Sequence, residues 1–489
     1  MKLVPGTASR RLAIVGAMIL ASTSFVAVAQ DAASPPATGD AASYFFEPLL
    51  TQPHPRETDL DASESPLVLW EGDNNSFLKA SLKAEMAYFD QSNSWFGEAQ
   101  ANLGANSTDW YETVITPAIN GSYFFDDDKG ELYGRLDMVS ANTEDYDAAG
   151  SNVGRGKDAS HTAVENAYLG WRSGDMWSNL GKDFLDVSFG RQQYVAGTGF
   201  LFYSQGGNGG NRGGYWMGDR KASEYAGVAK FTYKKLKTDL VYFKADDNPN
   251  SDTKVGGVTV DYSLGDFGGI GGGYYSVSSD IETRDSMDVY DIRYSVTPFK
   301  AFNVADWLKP LSFEGEFVHE DNGNKLEADG WYLSGAYSFD NMPWKPSLTY
   351  RYAAFDGNNP NSSKSQNFDP LFYGFYDWGY WYQGEILGEY VLSNSNLKSS
   401  MVRLSADPTD AIHINLFYYH FTLDDAEGFG VQSNDFADEW NLTVDWSVGK
   451  YLSLSMVGAY ASPDDGAEQY TGGDDDWAYG MLYANFSFK

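Results

Sequence analysis

The chain has 489 residues and carries 68 Asp and Glu against 34 Lys and Arg, a formal charge of −34, with no cysteine. So acidic a chain argues against nucleic-acid binding, and without thiols there is neither a disulfide framework nor a thiolate metal site. Aromatics make up 16% of it (34 Tyr, 30 Phe, 14 Trp) while mean hydropathy is only −0.42, a combination typical of barrels, in which lipid-facing and lumen-facing residues average out and aromatics gather in girdles.

At the start, Lys2, Arg10 and Arg11 precede the apolar run Leu12 to Ala21, and Ala27-Val28-Ala29 fits a small-x-small cleavage site. Residues 1–29 thus read as a secretory signal peptide, because the apolar run falls short of the ~20 residues that an uncleaved spanning helix needs. Residues 30–76, rich in Pro, Ala, Asp and Ser, lack sustained alternation apart from Tyr44-Phe45-Phe46 and Leu67-Val68-Leu69-Trp70. They are expected to form a poorly ordered periplasmic lead-in. No later stretch is long and apolar enough to be a spanning helix, so a membrane location leaves only a closed barrel, here over 77–489.

From Phe77 onward, apolar and polar residues alternate with a period of two, which puts them on opposite faces of strands. Such runs include 77–89, 131–140, 185–194, 225–234, 257–264, 287–296, 311–320, 331–339, 347–355, 401–406, 411–421 and 452–460. The clearest is Glu439 to Val448, where Trp440, Leu442, Val444, Trp446 and Val448 alternate with Glu439, Asn441, Thr443, Asp445 and Ser447, and the chain ends on Asn485-Phe486-Ser487-Phe488-Lys489. The fold class is therefore all-β, a transmembrane antiparallel β-barrel of about 18 strands (16–20), the number being even in such barrels. A secreted sandwich or propeller is the runner-up, but no repeat of propeller length is visible.

Acid concentrates between the runs, at Asp126-Asp127-Asp128, Glu144-Asp145-Tyr146-Asp147, Asp246-Asp247, Asp424-Asp425, Asp464-Asp465 and Asp474-Asp475-Asp476. These read as long solvated loops; divalent-ion bridging to lipopolysaccharide is the alternative, but no cluster has the spacing of a calcium loop. No metal or cofactor is expected. The glycine-rich stretch Gly206 to Gly218 lacks the Lys-Ser/Thr of a phosphate-cradling loop and suggests a long loop, with an inward-folded constriction carrying Arg212 as a hypothesis. Phe368 to Trp381 reads as a second, aromatic loop that either stacks on sugar rings or anchors at the interface.

If the apolar face meets lipid, parity nominates the lumen. It places Lys79, Lys83 and Glu85 inside, then Arg135 and Asp137, Lys230 and Lys234, Asp291 and Arg293, Arg351, Arg403, His413 with Asn415, Glu439 and Asp445, with Asp261, Glu314 and Glu316 sharing that face. A one-residue bulge would exchange the faces. Such a mixed-charge set serves either to rigidify the barrel by cross-strand pairing or to select solutes.

The patches Val187-Ser188-Phe189-Gly190-Arg191-Gln192-Gln193 and Val164 to Trp171 resemble a strand pair of the bacterial alginate-export family. Gly384 to Leu397, His413 to Phe421 and Asp438 to Leu442 are similar to its closing strands in the same order. The resemblance implies an eighteen-stranded outer-membrane barrel whose positive lumen passes an anionic polysaccharide outward. This chain departs from the pattern in carrying Val164 and Gln193 where the family has inward arginines, and acids at several lumen positions. The resemblance favours a polysaccharide channel, with a general or sugar-type diffusion porin and a plugged structural barrel as alternatives. Expected partners are outer-membrane lipid and lipopolysaccharide, the barrel-assembly machinery, a polysaccharide or small hydrophilic solute and, for polymer export, periplasmic proteins that deliver the chain. Catalysis is not expected: the histidines are His54, His161, His319, His413 and His420, and neither a nucleophile elbow nor zinc-type spacing accompanies them.

Overall fold

The computed structural model describes residues 67–72, 74–98, 106–125, 129–145, 159–300, 302, 304–359, 361–374, 381 and 383–488. The signal-peptide segment, most of the expected lead-in, Asp126-Asp127-Asp128, Tyr146, Asp147 and His54 lie outside them. In chain order the strands are β1 (Leu67–Glu71), β2 (Phe77–Ser92), β3 (Ser107–Phe124), β4 (Glu131–Asp145), β5 (Ala159–Arg172), β6 (Leu185–Arg191), β7 (Tyr225–Tyr233), β8 (Leu236–Lys244) and β9 (Lys254–Ser263). They continue with β10 (Gly268–Ser278), β11 (Met287–Val296), β12 (Leu311–Asp321), β13 (Glu327–Ser338), β14 (Ser347–Phe355), β15 (Leu397–Thr409), β16 (Ile412–Leu423), β17 (Asp435–Ser447), β18 (Leu452–Pro463) and β19 (Trp477–Phe488). From β2 to β19 each strand pairs antiparallel with the next, and β19 returns to β2 with Met481 opposite Phe89 and Phe488 opposite Leu82. Eighteen strands thus close a barrel, and closure leaves no edge whose backbone groups would face lipid. The short β1 pairs with the Phe77–Ala80 end of β2, in line with the point at Leu82 where β19 stops.

Alternation sorts the side chains as the two media require. Phe189, Leu169 and Ile292 are 68%, 66% and 66% exposed, and Leu78, Leu136, Leu333, Trp440, Leu442 and Met456 share their outward face, whereas Lys79, Glu85, Asn441 and Thr443 are buried. An apolar band running round the whole circuit far exceeds the few hundred Å² that soluble surfaces tolerate, so only lipid satisfies it.

The two ends differ. Connections after even-numbered strands include 93–106, 192–224, 356–396 and 464–476, while those after odd-numbered strands include 234–235, 410–411 and 448–451. Because barrels of this kind have short periplasmic turns and long outer loops, the long-loop end is extracellular. The acidic pairs at 424–425 and 464–465 and the run 474–476 all lie there.

Candidate solute channel and the loops that enter it

Two of the long connections, over the residues described, fold into the barrel instead of out of it. The β6–β7 connection, 192–224, crosses the lumen: Phe200, Leu201 and Phe202 are buried, the Phe200 ring lying 4.5 Å from that of Trp381 and 5.7 Å from Phe355. The β14–β15 connection, 356–396, enters from the other wall and brings in Phe368, Phe372, Trp381, Ile386 and Leu387, all buried. Its aromatics, as far as they are described, are packed inside the barrel against β8, β13, β14, β19 and the first loop rather than set at the membrane interface. The loops meet where Trp216 Nε1 donates to Glu385 Oε2 (2.7 Å), the Tyr215 hydroxyl donates to the Glu389 carbonyl, and the Tyr215 and Tyr390 rings stack at 6.0 Å.

A loop inside a barrel brings backbone N–H groups that need acceptors. Three glutamates, Glu112 on β3, Glu165 on β5 and Glu439 on β17, point inward, and each takes two successive loop amides. Glu112 accepts from Trp216 N (3.3 Å) and Met217 N (3.0 Å), Glu165 from Lys221 N and Ala222 N (both 2.6 Å), and Glu439 from Ile386 N (3.0 Å) and Leu387 N (2.8 Å). Lys83 adds an ion pair, its Nζ lying 3.3 Å from Asp219 on the first loop and 2.7 Å from Glu85. Burial alone would raise the Asp219 carboxyl, but the charges of Lys83 and Lys221 together with hydrogen bonds to Glu85 and Lys83 outweigh it and hold the group below its ordinary value.

The nominated lumen residues largely face inward, but many are committed to one another. Lys79, Glu85, Asp137, Asp291, Arg293, Arg351, Arg403 and Glu439 are buried. Arg135 pairs with Asp137, and Arg293 with Asp291 and with Asp261 at 2.7 Å. Gly271 makes room for that last pair, since a Cβ there would lie 2.1 Å from Asp261 Oδ1 and 3.0 Å from Arg293 Nε. Lys230 stands opposite Asp239 on β8. Arg351 Nη2 donates to Gln383 of the second loop (3.2 Å) and its guanidinium lies over the Trp381 ring at 5.1 Å; Arg403 is its diagonal neighbour on β15. At the periplasmic end His413 Nδ1 lies 2.6 Å from Asp407, and Asp445 accepts from the Ser455 hydroxyl.

Four readings need correction. Lys234 does not line the lumen: it is in the β7–β8 turn, exposed, with a left-handed φ of 55° and its ammonium over the Tyr233 ring. Val164 faces outward at 39% exposure, because a bulge on β5 sets Leu136 opposite Ala167 but Met138 opposite Val164, and the inward residue there is Glu165. Asp246 is no solvated loop acid; it sits among arginines, as described below. Arg212 does travel with an infolded loop, yet it donates to the carbonyls of Gly207 and Asp246 and pairs with the Asp246 carboxylate at 3.1 Å. The described histidines on outer faces, His319 and His420, pair with Asp329 and Asp438 at 2.7 and 2.8 Å.

Lipid-type exterior, charged interior, closed antiparallel circuit and two lumen loops define the class: this is an outer-membrane channel for hydrophilic solutes, located in the bacterial outer membrane. Within that class the chain belongs to the alginate export family, which matches residues 135–463. A search of curated proteins returned no significant match. Among solved structures, the chain is similar to OccK8 (OprE) of Pseudomonas aeruginosa, with 12% identity, TM-score 0.52 and 84% of this chain and 98% of that one covered. It is also similar to OccAB1 of Acinetobacter baumannii (13%, TM-score 0.51, 88% and 100% covered) and to Pseudomonas aeruginosa OccK2 (OpdF) in complex with glucuronate (14%, TM-score 0.51, 84% and 97% covered). At such identities the likeness is one of fold.

Proposed function

We propose that the channel passes acidic saccharides, polymeric or short, and that the two infolded loops set how often it conducts. The observation that carries this is the inward pair Arg351 and Arg403 on adjacent strands, beside the docking place of the second loop, in a barrel of the alginate export family. Guanidinium groups suit carboxylates because their planar forks match them geometrically. A second reading, a diffusion porin for neutral sugars, is favoured by the internal pairing of Arg135 with Asp137, Arg172 with Asp186 and Arg293 with Asp261 and Asp291, which leaves less net charge to select with. No catalytic role is assigned. Polymer export would further require periplasmic proteins to deliver the chain. The test is single-channel recording in planar bilayers: anion-selective reversal potentials and block by alginate oligomers support the acidic-saccharide reading. Cation selectivity with block only by neutral oligosaccharide supports the porin, and no conductance at all defeats both.

A further inference from the structure

The first loop delivers Arg212 and Arg220 to the extracellular end of β6, where Arg191 already points inward. All three guanidinium groups converge on one side chain, Asp246 in the β8–β9 connection: Arg191 Nη2 and Arg220 Nη2 both reach its Oδ2, and Arg212 Nη2 reaches Oδ1 at 3.1 Å. Among the described residues the only other acid paired with them is Glu165, whose Oε2 lies 3.4 Å from Arg220 Nε and 3.7 Å from Arg191 Nη2 while its Oε1 is taken by the amides of Lys221 and Ala222. Three cations therefore share two carboxylates. Arg220 is 4% exposed, and beyond the ion pair of its Nε with Glu165 Oε2, its Nη1 and the Nε of Arg191 are buried donors with no hydrogen-bond partner among the described residues. Buried guanidinium donors left over after internal pairing are an unusual arrangement for a purely structural contact, because each forfeits its solvation without replacement.

We propose that this arginine triad is a carboxylate-binding site of the channel whose resident ligand is the chain's own Asp246, so that a solute carboxylate and Asp246 compete for the same guanidinium groups. The inference rests on the acidic-saccharide reading and deepens it. Asp246 is carried by a connection outside the strands, so displacing it does not require breaking the barrel ladder; it does loosen the first loop, which Asp246 holds through Arg212 and Arg220 and through its backbone bonds with Gln205 and Gly207. An incoming uronate would thus occupy the vacated forks and at the same time weaken a tie of the loop that fills the lumen.

The test uses the full-length protein in detergent, with glucuronate as the carboxylate probe and glucose as the neutral control. Calorimetric titration of Asp246→Asn, checked for barrel folding by the heat-dependent gel shift, is expected to show glucuronate binding at least tenfold tighter than the wild type, abolished in Asp246→Asn with Arg220→Gln. Because Asp246→Asn changes a loop contact and can misfold, a second measurement uses the wild type: glucuronate, but not glucose, should speed amide hydrogen exchange over 245–253. The proposal is overturned if the folded variant binds no tighter than wild type, or if the wild-type loop exchanges equally with both sugars. Conductance of the same preparation separates this outcome from the parent reading. A conducting wild type indifferent to glucuronate removes the site and leaves the channel, whereas glucuronate binding to a non-conducting barrel keeps the site and removes the channel.

Discussion

Replacing Glu439 by Ala should undock the second loop while leaving the barrel closed. Glu439 is fully buried, and its two oxygens take the amides of Ile386 and Leu387 and the Asn441 side chain. Truncation removes both acceptors from two buried backbone donors, at roughly 1–3 kcal/mol per donor, so docking weakens by about 2–6 kcal/mol. At 1.36 kcal/mol per decade, the lower bound already corresponds to about a thirtyfold shift toward the undocked loop. The barrel ladder is untouched, since β17 keeps its backbone pairing to β16 and β18. Hydrogen–deuterium exchange read by mass spectrometry over a peptide spanning 383–392 measures the effect directly: exchange there should speed at least about thirtyfold, while peptides from β17 and β18 stay protected. Wild-type protection of 383–392 in Glu439→Ala would refute the carboxylate-clamp reasoning, and loss of protection across β17 would show that Glu439 supports the wall rather than the loop.

The same loop should respond to pH. Glu389 is pushed up to about 8 by burial and then by the neighbouring carboxylates of Glu385, Glu112 and Glu439. Docked, it holds its proton more tightly than when free, so docking is strongest below its ordinary value of 4.5 and weakens as pH climbs from there through about 8. Closed dwell times in bilayers should shorten over that window in the wild type but not in Glu389→Gln; identical pH profiles would remove Glu389 from the account. Phe200→Ala empties the centre of the ring cluster formed with Trp381, Phe355 and Tyr332 and should cost roughly 3–5 kcal/mol. Limited proteolysis is expected to cut within 192–224 in that variant, and unchanged resistance would argue that the cluster does not hold the loop. Leu442→Arg, on the outward face midway along β17, should destabilise the barrel by ~2–4 kcal/mol if that face meets lipid near the midplane. Urea unfolding in vesicles reads this out, and a neutral result would contradict the outward assignment.

What parity made legible was the wall. Lipid demands an apolar residue at every second position, so runs such as Phe77–Phe89 and Glu439–Val448 declare their faces without help from context, and Lys79, Glu85, Arg293, Arg351, Arg403 and Glu439 are buried. Three features escaped it for physical reasons. β10 begins Gly268-Gly269-Ile270-Gly271-Gly272-Gly273, and glycine carries no hydrophobicity to alternate, although the strand needs it to admit the Arg293–Asp261 pair. The bulge on β5 inserts one residue between Val164 and Ala167, which exchanges the faces on either side of it. The third is the medium within. On the loop-filled side the lumen is not water but protein, so Ala87 and Phe89 on β2 and Phe417, Tyr419 and Phe421 on β16 point inward, and alternation loses its contrast there.

That last point decides how firmly the loops are held. An inward acid reads the same in sequence whether it faces an arginine, a solute or a backbone amide, and Glu112, Glu165 and Glu439 turn out to face amides in pairs. A contact between a carboxylate and two N–H groups is exchangeable: water or a sugar hydroxyl can take over either half, and if the lumen rehydrates, the net loss per bond falls toward ~0.5–1.5 kcal/mol. An apolar plug has no such substitute, because exposing Phe200 or Trp381 to a wet lumen is resisted in proportion to the area uncovered. The two classes of contact therefore act differently on the same loops. The ring cluster fixes where the loops sit, and the glutamate clamps and the arginine triad, whose partners a hydrophilic solute can replace, are the contacts through which passage of that solute would loosen them. A variant lacking a clamp should accordingly lose solute dependence of conductance before it loses the closed state, whereas Phe200→Ala should lose the closed state first. Recording both variants with and without acidic oligosaccharide discriminates the roles, and the reverse order would assign the gate to the aromatic cluster.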